Sequence, residues 1–146
     1  VATSNLFRRL LAHRRCLVLA DGFYEWEGGK GKKLPTRFVL RSREPFAFAG
    51  LFDEWKDPQR PEAPALRTCT IVTVPANELV ATIHDRMPAI LRPEQEDLWL
   101  DPAVREPGRL LAPYDPEQME AYRVSQLVND IRMQGPECLA PLAAAG

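Results

Sequence analysis

The chain has 146 residues, 45% hydrophobic and 27% charged, ordinary globular usage that excludes a disordered tail or a collagen-like rod and suits a single domain over residues 1–146. Fourteen prolines against eight glycines favour short elements over a long-helix bundle. The net charge of −1 hides an asymmetry: residues 1–68 hold thirteen Lys and Arg against eight Asp and Glu, and residues 69–146 hold six against twelve. A basic first half points to an anionic partner, nucleic acid first, or to surface charge that simply fell this way.

No run approaches the roughly 18 apolar residues of a membrane span, so no membrane partner is expected. Cys16, Cys69 and Cys138 are odd in number and form no C-x-x-C pair, which argues against a disulfide scaffold or a zinc site and fits a reducing compartment. The chain starts at Val1 with no basic and apolar leader; no secretory signal is expected, and the missing Met suggests a processed chain or a fragment.

In chain order, Ser4 is placed to cap a short helix with an apolar stripe of Leu6, Phe7, Leu10 and Leu11. Arg8, Arg9, Arg14 and Arg15 make its outer side and end basic. Cys16–Ala20, the Asp21-Gly22 turn signal and Phe23–Glu27 predict a β-hairpin. Gly28–Lys33 is a cationic loop. Thr36–Arg41 and Phe46–Phe52 predict two strands around a polar turn, Asp53–Ala65 a solvent loop, and Thr68–Thr73 a β-branched strand. Ala76–Ile83, Pro93–Leu100 and Asp115–Tyr122 predict helices, and Arg123–Val128 a last strand. Strands first and helices later, without internal repeats, predict an α+β fold with a mostly antiparallel sheet.

Two places could carry chemistry. Glu25 shares a strand face with Phe23 and Glu27, with Tyr24 and Trp26 on the other. It is either a partly desolvated carboxyl with a raised pKa, suited to general acid/base work, or an exposed strand glutamate. His84-Asp85-Arg86, before Met87-Pro88, packs a base, an acid and a cation together; His84 either takes part in catalysis or only hydrogen-bonds a helix end. Trp26, Trp55 and Trp99 could stack on bases, though tryptophan is more often core. Asp53, Glu54 and Asp57 on a proline-rich loop read as solvated carboxylates, not a metal site.

Taken together, Arg15-Cys16-Leu17-Val18-Leu19-Ala20-Asp21-Gly22-Phe23-Tyr24-Glu25-Trp26 resembles the signature of the SOS-response-associated peptidase family, also known as abasic-site processing proteins. Phe46–Leu51, Thr70–Thr73 with Ala76-Asn77, Ile83–Pro88, and Val124-Ser125 with Val128-Asn129 resemble four more of its blocks, in order. The resemblance implies a barrel-like antiparallel sheet with flanking short helices, the chain corresponding to about the C-terminal two-thirds of the family's domain. It implies single-stranded DNA containing abasic sites as partner, no cofactor, no metal, a monomer, and a cytoplasmic, nucleoid-associated place in a bacterium.

Members of the family capture the ring-opened sugar aldehyde with an N-terminal cysteine exposed by self-directed removal of Met. The amine forms a Schiff base and the thiolate closes a thiazolidine. By the same resemblance Glu25 shuttles protons, His84 assists ring opening and Schiff-base chemistry, and Trp26, Thr73 and Arg86 lie near the bound strand. The family's N-terminal Met-Cys-Gly-Arg and Asn-Ala-Arg-x-Glu blocks are not among these residues, and Cys16 does not replace the nucleophile. The alternative is a non-catalytic single-strand binding module derived from the family.

Overall fold

The computed structural model describes residues 5–28 and 33–142. The elements in chain order are α1 (Asn5–His13), β1 (Arg15–Ala20), β2 (Phe23–Glu27), β3 (Leu34–Leu40), β4 (Phe46–Trp55), β5 (Leu66–Ile71), β6 (Thr73–Pro75), β7 (Arg86–Pro88), β8 (Ile90–Leu91), α2 (Pro93–Leu100) and β9 (Met119–Arg123). Single 3-10 turns lie at Val80–Thr82, Pro107–Leu110, Pro116–Gln118, Gln126–Asn129 and Pro136–Cys138. The α+β class with antiparallel pairing is therefore observed. The chain forms two compact units. One takes the stretch ending at Leu19 with Phe46–Val74 and Pro88–Pro113; the other takes Ala20–Pro45, Pro75–Met87 and the stretch from Tyr114.

The first unit is a sheet in the order β1-β4-β5, with β8 also paired to β4. β4 is buried on both faces over its first six residues, Phe46, Ala47, Phe48, Ala49 and Leu51 among them, joined in the core by Leu10, Ile90, Leu91 and Trp99. Gly50 is required by a close approach: a Cβ there would stand 2.8 Å from Cys16 Sγ and 2.9 Å from Val18 Cγ2. Arg15, only 8% exposed, closes this unit. Its guanidinium donates to Leu11 O at 2.6 Å and Ala12 O at 3.1 Å at the end of α1, and to Trp99 O and Asp101 O at the end of α2. One side chain thus satisfies carbonyls left over at two helix C-termini. Burial lowers the Arg15 pKa, Asp101 acting against it.

The second unit is the sheet β2-β3-β9. β3 is central and buries Pro35 to Val39, and Phe23 of β2 stacks on Phe38 with ring centroids 5.1 Å apart. Burying a side chain the size of Phe38 is worth roughly 1.5–3 kcal/mol. Buried Arg37 is held by Tyr122 Oη at 2.7 Å and by the Asp21 carboxylate at 2.9 Å. Two of the first half's arginines, Arg15 and Arg37, are thereby spent inside the fold and not on a basic surface.

Several expectations are corrected here. β1 and β2 do not form a hairpin: β1 pairs with β4, and β2 with β3. At Gly22 a Cβ would meet Phe38 O at 2.8 Å, so the Asp-Gly turn lays the chain along β3 instead of folding β2 back on β1. β1 and β2 belong to different sheets, and the strands do not close into a barrel among the described residues. Ala76–Ile83 is a loop with one 3-10 turn, its β-branched residues Val80, Thr82 and Ile83 disfavouring longer helix. Asp115–Tyr122 is likewise one 3-10 turn, after which Met119–Arg123 extends to pair with β3. The predicted strand Arg123–Val128 gives way to the turn Gln126–Asn129. α1 and α2 are present, α2 with the predicted ends Pro93 and Leu100. The cap expected of Ser4 and most of the cationic loop lie outside the described residues.

Candidate active site

The β2–β3 register sets Glu25 opposite Thr36, on the face that also carries Phe23 and Glu27. Glu25 is half-buried. Burial raises its carboxyl pKa above the ordinary value, and the charge of His84 opposes the rise. Glu25 is thus not a fully exposed strand glutamate. Glu27 is differently engaged, its carboxylate pairing with Arg123 across the sheet.

His84 stands at the end of the segment 76–85. Ala76 N–H donates to Asp85 O at 2.9 Å, closing that segment into a loop. Buried Asn77 anchors it: its Oδ1 accepts Val80 N–H at 3.0 Å and its Nδ2 donates to Tyr114 O at 2.7 Å. The His84 side chain is 48% exposed, with Asp85 Oδ1 3.4 Å from Nδ1. Arg86 N–H donates to Nδ1 at 3.0 Å, and Arg86 O lies 3.1 Å away. Nδ1 therefore has both a donor, Arg86 N–H, and an acceptor, Arg86 O, within reach, and which it uses depends on the tautomer. The His84 ring is thus oriented through Nδ1 by its own chain.

Trp26 lies on the opposite face of β2 from Glu25, 37% exposed. Its indole N–H donates to Asn129 Oδ1 at 2.6 Å, and Asn129 Nδ2 donates to Lys33 O at 3.1 Å. Tyr24 flanks the indole, centroids 6.2 Å apart. The second unit therefore brings Glu25, His84 and the backbone of Arg86 together and holds Trp26 on the other face of the strand. Thr73 belongs to the first unit, where it is exposed at the start of β6. Trp99 is core and Trp55 exposed. Asp53 pairs with Arg9, Glu54 with Arg14 and Arg67, and Asp57 with Arg60. Burial raises the Cys16 thiol pKa, which keeps it protonated and a poor nucleophile.

Three supporting residues were not singled out by the sequence: Thr36, Arg123 and Asn129 as the holder of Trp26. All three act across strands or turns, and a register that pairs β3 with β9 leaves no local signal in either.

The family profile described as SOS response associated peptidase (SRAP) matches residues 1–131. The chain belongs to this family. Its relatives include the "Abasic site processing protein YoqW" of Bacillus subtilis, 47% identical over 137 residues, covering 91% of this chain and 60% of that protein. The "Abasic site processing protein HMCES" of Gallus gallus is 41% identical over 155 residues, covering 91% of this chain and 45% of that protein. A crystal structure of a Bacteroides thetaiotaomicron protein superposes with a TM-score of 0.85 at 29% identity, over 97% of this chain and 63% of that one. The chain thus spans about 60% of the bacterial relative's length. Among the described residues, no helix of this family member is long and apolar enough to cross a membrane.

Proposed function

We propose that this SRAP chain carries the proton-moving part of an enzyme that binds single-stranded DNA and captures abasic sites covalently. What supports the reading is the place of Glu25, half-buried on β2 with burial raising its carboxyl pKa and the charge of His84 acting against the rise, on residues that match the family pattern. A raised carboxyl keeps its proton to higher pH than an ordinary one, which suits a group that gives and takes a proton in a reversible carbonyl addition.

The chemistry then runs as follows. His84 Nε2 assists opening of the abasic sugar to its aldehyde. The N-terminal cysteine amine of the family pattern, supplied from outside these 146 residues, adds to the carbonyl carbon. Glu25 delivers the proton with which the carbinol oxygen leaves as water, giving the Schiff base. The thiolate adds to the imine carbon and the nitrogen takes a proton, closing the thiazolidine with no net oxidation or reduction. The same carboxyl serves the reverse reaction, and the self-directed removal of Met exposes the amine beforehand. Trp26 offers a stacking face and Arg86 a cation for phosphate.

The test is a denaturing gel with a single-stranded oligonucleotide bearing one abasic site. The chain joined behind the N-terminal part of the Bacillus subtilis relative gives a shifted band that survives denaturation, and the 146-residue chain alone gives none. Salt-sensitive retention on a native gel with no denaturation-resistant band in either would favour a non-catalytic binding module.

A further inference from the structure

Glu25, Thr36 and Arg123 form one row across the second unit's sheet, Glu25 directly opposite Thr36 and Thr36 directly opposite Arg123. Residues so opposed carry their Cβ atoms about 5 Å apart on one face, within reach of a carboxylate and a hydroxyl. Arg123 is turned out of the row: its guanidinium pairs with Glu27, and its Nη1 donates to Leu34 O at 2.9 Å. Thr36 is only 4% exposed, and its Oγ1 has no hydrogen-bond partner among the described residues. A buried hydroxyl left unpaired is a standing cost. Valine has the same branching and strand preference without it.

We propose that Thr36 is a positioning residue for Glu25, its hydroxyl donating to the carboxylate when Glu25 ionises and fixing which carboxylate oxygen faces the substrate. Among the described residues, Glu27 lies on the same face of its own strand, Arg123 starts from the same row on β9, and the charge of His84 acts from the segment before β7. Glu27 and Arg123 pair with each other, and the hydroxyl joins His84 in favouring the charged carboxyl. Burial, which drives the Glu25 pKa up, is then held in check from two sides. The inference rests on the reading of Glu25 as the proton-moving group.

The test is a carboxyl 13C NMR titration of Glu25 in the 146-residue chain and in its Thr36→Val and Thr36→Ser forms. Thr36→Val raises the Glu25 pKa by about half a unit to one unit, the effect of one lost hydrogen bond, and Thr36→Ser leaves it near the parent value. An unmoved pKa in Thr36→Val, or equal movement in both forms, overturns the proposal. If the valine form does not fold, Thr36→Ala is read by the same criterion. Normal turnover of the DNA link by a Glu25→Gln form would defeat the reading of Glu25 while leaving the titration result to stand, so the two failures are separable.

Discussion

A carboxyl whose pKa is raised on folding costs stability whenever it is ionised. Glu25 is such a group, because burial outweighs the favourable charge of His84. The folded state binds its proton more tightly than the unfolded chain, so stability contributed here is present at low pH and falls as pH rises from the unfolded value through the higher folded one. Glu25→Gln carries no charge to desolvate. Its melting temperature at pH 7 should therefore equal or exceed that of the parent, with the gap closing as the pH is lowered below the ordinary carboxyl range. A Glu25→Gln form that melts lower than the parent at pH 7 would show a structural carboxylate instead. A second prediction concerns Trp26, whose indole is held by Asn129. Asn129→Ala should weaken binding to a single-stranded oligonucleotide several-fold, less than Trp26→Ala, for which one lost stack is worth roughly 1–3 kcal/mol. Fluorescence anisotropy would compare the two. At this scale the sequence was informative where chemistry is concentrated in neighbouring residues: Glu25 among aromatics, and His84-Asp85-Arg86 in three consecutive positions. It was silent on Thr36 and Asn129, whose parts are defined by what faces them.

At the scale of elements, Arg15 joins α1 to α2 through four carbonyl oxygens. Arg15→Ala leaves those buried carbonyls unsatisfied and should cost about 2–4 kcal/mol, read as a lower urea midpoint with an unchanged slope. Arg15→Lys should recover only part of it, because one ammonium cannot span the same fork. The sequence placed Arg15 on a basic helix end, since the helix pattern is local and the second helix it caps lies 84 residues on. The same limit explains the other corrections. The apolar run Cys16–Ala20 and the segment Phe23–Glu27 are each legible as strands, while the Asp-Gly turn signal points to a hairpin that the distant partners β4 and β3 displace. The residues after Pro116 satisfy helix starting rules for one 3-10 turn, and then the ladder with β3 claims Met119–Arg123. Where the periodic signal needed no distant partner, as in α1, α2 and β4, the elements were legible.

For the whole molecule, family membership joins these residues to proteins whose names speak of abasic sites, and the chain spans about 60% of the bacterial relative. The charge asymmetry of the sequence is partly absorbed by the fold, through buried Arg15 and Arg37 and the pairs of Arg9, Arg14 and Arg67 with Asp53 and Glu54. In the function proposed above, DNA recognition would rest on specific groups such as Trp26 and Arg86 more than on bulk charge. Glu25 is proposed to move the proton in making and breaking the DNA link. The decisive measurement isolates the cross-link formed by the chain joined to its relative's N-terminal part and times its release into competitor oligonucleotide for the parent and Glu25→Gln forms. Glu25→Gln should slow release by about 10²-fold or more, the usual contribution of a general acid/base. Release at the parent rate would contradict it.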